Sequence, residues 1–190
     1  LHQGDVLKFD PGSLTTVPHS LRVIGNLPYN ISTPCLFHLL SSVELISDMT
    51  FMLQKEVVQR LAAGPDDDNY GRLSVMVQFH CDVDHLFDVP PGAFKPAPKV
   101  TSAIVRLRPH RNQPGQPRRY ELDDPALFTA LVRDAFSQRR KTLRNCLKNL
   151  VTGLNPEHLP VDLGLRAENL GVADFVQLCN AISAERKREQ

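Results

Sequence analysis

The chain has 190 residues, 42% hydrophobic and 23% charged, with a formal net charge of +1. That length and apolar content suit one ordinary globular domain plus a smaller one. No run approaches the ~20 apolar residues of a membrane span and no basic-then-apolar leader opens the chain, so a soluble, cytoplasmic protein without a membrane partner is expected.

Charge is unevenly placed. Residues 95–150 carry thirteen Lys or Arg against four Asp or Glu, a local charge of +9 against −8 for the rest. Such asymmetry suggests a surface for polyanions, RNA phosphates among them, although solvated helix faces also carry charge runs. Cys35, Cys81, Cys146 and Cys179 are far apart, with no C-x-x-C pair and no His at ligand spacing. Neither a metal site nor a disulfide framework is indicated.

Leu21 to Ile24 reads as a fully buried strand, and Thr33 with Pro34 as the next helix start, Thr at N-cap and Pro at N1. Thr50 to Leu53 reads as a second strand, followed by a helix to Ala63 that stops at Gly64-Pro65; Gly71 to Phe79 is helical again. Val83 to Val89 and Thr101 to Leu107 supply two more strands, the latter alternating Ala103, Val105 and Leu107 with Ser102, Ile104 and Arg106. The expected product is half of a mostly parallel sheet. Pro109 to Arg119 has the composition of a linker. Beyond it, helices are expected from Asp124-Pro125, from Gln138 to Leu150 and from Arg166 to Ala184.

Chemistry concentrates at Asn26-Leu27-Pro28-Tyr29, between the first strand and the first helix. In an open α/β sheet that junction lies at the carboxyl ends of the strands, where ligands bind. The Asn26 side-chain oxygen and the Pro28 carbonyl can accept the two protons of an exocyclic amine, and Tyr29 can stack on the base that carries it. Pro-Tyr-Asn is also ordinary turn chemistry; the rest of the chain decides between these readings. Phe51 to Leu61 (FMLQKEVVQRL), Tyr70 to Val75 (YGRLSV), Phe94 to Ala103 (FKPAPKVTSA) and Phe136 to Asn145 (FSQRRKTLRN) follow in that order. Together these segments resemble the ribosomal RNA adenine N6,N6-dimethyltransferases of the KsgA type, related to the Erm resistance methylases, over about Gly4 to Ala184.

The resemblance implies an α/β chain: a partial Rossmann-like methyltransferase domain over 1–112, followed by a small all-helical, rRNA-binding C-terminal domain over 113–190. It implies S-adenosylmethionine as cofactor, without a metal, and dimethylation of N6 on two adjacent adenines of a small-subunit rRNA hairpin. Its partners would be that rRNA and the immature small subunit, met by a monomer. Asp5 would accept the cofactor's adenine amine at the end of a strand neighbouring the first, and Asn26 would also touch the cofactor. Asn26, Pro28 and Tyr29 would align the target, with Phe94 closing over its other face. The family usually opens with an E-x-G-x-G-x-G-like turn, whereas the ten glycines here form no G-x-G. The chain is therefore expected to be the C-terminal two-thirds or so of a longer enzyme. The competing reading is a non-catalytic RNA-binding assembly factor.

On a helical wheel for Gln138 to Leu150, Leu143, Cys146, Leu147 and Leu150 share one arc, and Arg140, Lys141, Arg144 and Lys148 the adjoining one. The second arc is the expected RNA-facing stripe. Arg139 falls within the apolar arc, which points to a structural ion pair, with an acid such as Glu168.

Overall fold

A computed structural model describes residues 2–111 and 119–188. Most of the expected Pro109–Arg119 linker, with the 112/113 domain boundary, falls on residues 112–118, outside the described residues, while Pro109 ends a strand. The chain forms two compact units, Leu1–Ala62 with His80–His110, and Ala63–Phe79 with Arg111–Gln190.

The first unit is built on a four-stranded sheet of order β1-β2-β4-β3, with β1 at Leu21–Asn26, β2 at Ile46–Gln54, β3 at Cys81–Val89 and β4 at Ser102–Pro109. β1 and β2 run parallel, joined through helix α1 (Ser32–Leu40), as a parallel pair requires a crossover. The other two pairings are antiparallel. The expectation of a mostly parallel sheet is thus corrected, because β4 turns back to lie between β2 and β3.

The core follows period-2 patterning. Met49, Phe51 and Leu53 of β2 lie opposite Leu107, Val105 and Ala103 of β4, all essentially without solvent exposure. Each large side chain of this row contributes roughly 1.5–3 kcal/mol by burial. Helix α2 (Lys55–Ala62) packs on β2, β3 and β4 and buries Val58 and Leu61. β1 is not the fully buried strand its composition suggested: alternate residues face solvent, and Ile24 is 75% exposed. Among the described residues it has one neighbour in the sheet and so is an edge strand, not a strand flanked on both sides. Helix α1 starts at Ser32, with Ile31 at N-cap and without a side-chain cap, so Thr33 is not the cap.

The second unit is not one contiguous piece. It includes helix α3 (Arg72–His80) up to Phe79, which chain order alone would leave with the sheet. Aromatic contacts and one buried hydrogen bond account for this. Phe79 stacks on Tyr120 and packs against Phe128, and the Tyr70 hydroxyl donates to the Leu170 carbonyl at 2.9 Å. Burial, with Asp174 and Tyr120 nearby, pushes the Tyr70 hydroxyl far above its ordinary range. Helix α4 (Pro125–Ala135) starts as its sequence dictates: Asp124 caps the Leu127 N–H and Pro125 occupies the first turn.

The expected helix from Gln138 to Leu150 is broken into α5 (Leu143–Cys146) and α6 (Lys148–Val151). The Leu143 and Arg144 N–H groups donate to the carbonyls of Leu165 and Leu163, so a new helix must start there. The last helix, α7, runs Val172–Arg188 and not from Arg166, since a 3₁₀ turn at Ala167–Asn169 precedes it. Among the described residues no helix is long and apolar enough to cross a membrane.

Burial, reinforced by His110, pushes the His80 imidazole down to about 4. The unfolded chain protonates it near 6.5, so between those values the unfolded state binds more protons and stability falls as pH falls. At pH 5 the loss is about 2 kcal/mol relative to pH 7. Urea midpoints followed by circular dichroism at the two pH values should show His80→Phe losing about that much less than the parent chain.

Candidate active site

β1 ends at Asn26, and pairing with β2 persists one step further, the Leu27 N–H reaching the Met52 carbonyl at 3.4 Å. Pro28 then opens a turn closed by the Ile31 N–H on its carbonyl at 3.1 Å, and Ser32 Oγ donates to the Tyr29 carbonyl at 3.1 Å. The turn is therefore clamped between a strand and the first residue of α1. The Pro28 carbonyl, expected to receive an amine proton, already accepts Ile31; with two lone pairs an oxygen retains one further direction. The Asn26 side chain is exposed and makes no hydrogen bond to a described residue.

Tyr29 is fixed from a distance in sequence. Its hydroxyl lies 2.8 Å from Ser102 Oγ at the start of β4, and Ser102 is fully buried. Phe94 approaches from the segment between β3 and β4, where a short 3₁₀ turn at Pro91–Ala93 places it, its N–H donating to the Pro91 carbonyl at 3.2 Å. Asn26, Leu27, Pro28, Tyr29, Met52, Phe94, Pro96 and Pro98 together line a cavity of about 280 Å³. That is the small end of the range for ligand clefts. Asn26, Pro28 and Tyr29 thus share one set of walls with Phe94, which lies far along the chain.

Asp5 is not among them. It sits in a loop and not at a strand end, where its Oδ1 accepts the Leu7 N–H at 3.0 Å and caps a 3₁₀ turn at Val6–Lys8. Among the described residues no strand precedes β1, so the expected neighbouring strand is corrected to a loop. In the second unit Arg140, Lys141, Arg144 and Lys148 are all exposed, while Leu143 and Leu147 are buried. The expected in-and-out division holds in part, since Cys146 and Leu150 of the apolar arc are only half-buried and Arg140 and Lys141 precede α5. Arg139 pairs with Asp68 at 2.9 Å and more loosely with Glu168 at 3.9 Å. Arg140, Lys141, Arg144 and Lys148 form no ion pair with a described residue.

Sequence reasoning did not reach Ser102, a plain strand residue until its partner is known, nor Met52, whose apolar character reads as core. Pro96 and Pro98, whose fixed φ stiffens the segment that carries Phe94, also line the cavity. Among the described residues no group of three or more His, Cys, Asp or Glu is placed to hold a metal ion.

An α/β sheet bearing an Asn-Leu-Pro-Tyr turn at a strand's carboxyl end, closed by a distant aromatic, has the architecture of Rossmann-like rRNA methyltransferases. A dimethyladenosine transferase from Plasmodium falciparum superposes with a TM-score of 0.73 at 28% identity, covering 97% of this chain and 72% of that one. The 23S rRNA methyltransferase ErmE shares the fold, with a TM-score of 0.56 at 22% identity over 94% of this chain and 70% of that one. The family model for ribosomal RNA adenine dimethylase matches residues 1–184, and the chain belongs to that family. The ribosomal RNA small subunit methyltransferase A of Pseudomonas fluorescens (strain Pf0-1) is 57% identical over 97% of this chain, and that of Saccharophagus degradans 59% over 96%. The chain spans 66% of the length of each of these two relatives.

Removing the Tyr29 hydroxyl leaves Ser102 buried without that partner. Tyr29→Phe should therefore cost about 1 kcal/mol of stability, a typical value for one hydrogen bond, and loosen the ring. Urea unfolding of parent and variant checks it.

Proposed function

We propose that this chain carries the target-base and RNA-binding parts of an S-adenosylmethionine-dependent enzyme that dimethylates N6 of two adjacent adenines in a small-subunit rRNA hairpin. The reading carries with it a monomeric, cytoplasmic protein acting on the immature small subunit. The single observation that supports it best is the cavity that gathers Asn26, Pro28, Tyr29 and Phe94.

In this reading the target adenine leaves its stack at a cost of a few kcal/mol, and contact with Tyr29 and Phe94 returns about 1–3 kcal/mol per stacked base. Asn26 Oδ1 and a turn carbonyl accept the two amine protons, which directs the nitrogen lone pair. Alignment of this kind can supply much of a displacement's rate. S-adenosylmethionine would supply the methyl group, on a sulfonium. Of the residues present, Asn26 fits a place beside it, with its amide uncommitted at the carboxyl end of β1, and Asp5 offers an exposed carboxylate with one oxygen taken by Leu7. No side chain need act as a base, because the methylated nitrogen is positively charged and acidic.

Arg140, Lys141, Arg144 and Lys148 would contact rRNA phosphates. Their freedom from ion pairs among the described residues supports this, since an unpaired cation displaces counterions from RNA without first giving up a protein partner. Of the two readings weighed, enzyme and assembly factor, the cavity favours the enzyme: phosphate binding alone has no use for an aromatic-walled site beside an uncommitted amide.

In a catalytically competent enzyme carrying this segment, Asn26→Ala should lower methyl transfer by about 100-fold or more while RNA affinity stays within a fewfold, since it removes alignment and leaves the phosphate-binding residues intact. Radiolabelled methyl transfer and filter binding in parallel decide it, and turnover within a fewfold of wild type would exclude the assigned role. Reversing Arg140, Arg144 and Lys148 to Glu should weaken RNA binding and reduce the slope of log affinity against log salt by roughly one for each phosphate no longer neutralised. Folding should survive, as exposed substitutions usually change stability by no more than about 0.5 kcal/mol. A filter-binding salt series is the measurement; an unchanged slope would leave these residues as a solvated face.

A further inference from the structure

A second cavity, also about 280 Å³, lies in the same unit and is lined by Gln54, Lys55, Glu56, Gln59, Val100 and Thr101. It adjoins the first along two segments. Met52 lines one cavity and Gln54 the other, two residues on along β2 and on the same face of the strand. Pro98 and Val100 repeat that step on the segment leading into β4. The Lys55 N–H donates to the Thr101 carbonyl at 3.0 Å and so ties the start of α2 to that segment.

Its chemistry differs from that of the first. The charges around it are paired internally, Lys55 with Asp88 at 2.6 Å and Glu56 with Arg60, so little net charge is left to hold a phosphate. What the lining offers is two carboxamides and a hydroxyl. A carboxamide presents a donor and an acceptor side by side, the pairing that Gln uses in bidentate contact with adenine N6 and N7.

We infer that this polar cavity seats the base of the nucleotide next to the target, an adenine held by Gln54 and Gln59 while its neighbour occupies the Asn26–Phe94 cavity. The inference rests on the reading of the first cavity as the target-base site. It gives the protein a means of measuring out two consecutive adenines: one is in place for chemistry only when the other fills the adjoining seat.

The test uses this chain and a single-stranded RNA carrying 2-aminopurine at the target position, whose fluorescence reports withdrawal from the stack. The neighbouring nucleotide on either side is adenine or an abasic ribose phosphate. For wild type, removing one neighbouring base should weaken binding about tenfold, the size of one bidentate base pairing. In Gln59→Leu, at an exposed position of α2, and separately in Gln54→Leu, binding to the intact RNA should fall by a similar factor. The abasic change should then add little, as expected when both alterations delete one interaction. If the abasic change weakens binding equally in wild type and both variants, or not at all, the inference is overturned. If 2-aminopurine gives no response with wild type, and RNA with adenine at that position binds no better than RNA abasic there, the target-site reading itself fails, and the inference with it.

Discussion

The hydrogen bond between Tyr29 and Ser102 is the constraint on which the candidate site depends. Tyr29 belongs to the turn after β1, whereas Ser102 opens β4, and β2 separates those two strands in the sheet. A contact across an intervening strand cannot be made by local geometry. It requires the β2–β4 register that places Ser102 opposite Gln54, and the β1–β2 register that places Asn26 opposite Met52. Both registers are secured by the same buried row of Met49, Phe51 and Leu53, because a one-residue slip would turn that row to the opposite face. The aromatic wall of the cavity is thus a consequence of core packing, and its orientation is as firm as the sheet.

Element types were legible in the sequence where period and punctuation agreed. α2 ends before Gly64-Pro65, α4 is announced by Asp124-Pro125, and the alternation of Ala103, Val105 and Leu107 marks β4. Legibility failed where a distant partner decided the outcome. The apolar run of β1 reads as buried on both faces, yet burial depends on what lies alongside. The stretch from Gln138 to Leu150 has a consistent helical period, but its Leu143 and Arg144 N–H groups are taken by the carbonyls of Leu165 and Leu163, well downstream. Periodicity cannot show that competition. The amphipathic division survives the break in part: Leu143 and Leu147 are buried and the basic residues exposed, while Cys146 and Leu150 are half-buried.

The site divides in the same way. Asn26, Pro28, Tyr29 and Phe94 became candidates through the family resemblance of the segments around them, since a proline and an aromatic in a turn are by themselves ordinary turn chemistry. Their convergence was not visible, being a matter of strand order. Asp5 is ambiguous from its sequence alone. A Gly-Asp pair suits a ligand-binding strand end and an Asx turn equally well, and the Leu7 N–H engages it in the second manner. A short-range backbone bond of that kind is available to any Asp in a loop, which is why the residue pair alone carries little information.

Charge is arranged by function more than by amount. In the sheet unit the cations at the strand faces are matched, Arg22 with Asp48 and both Arg106 and Arg108 with Asp84. Exposed pairs of this sort contribute about 0–1 kcal/mol each to stability. They also partly offset the positive charge there, Arg106 and Arg108 sharing the one carboxylate of Asp84. The unmatched cations of the second unit act differently: with no acid to neutralise them among the described residues, Arg140, Lys141, Arg144 and Lys148 keep their full field. Under the proposed reading, affinity and selectivity would come from different residues, so that each could change without the other.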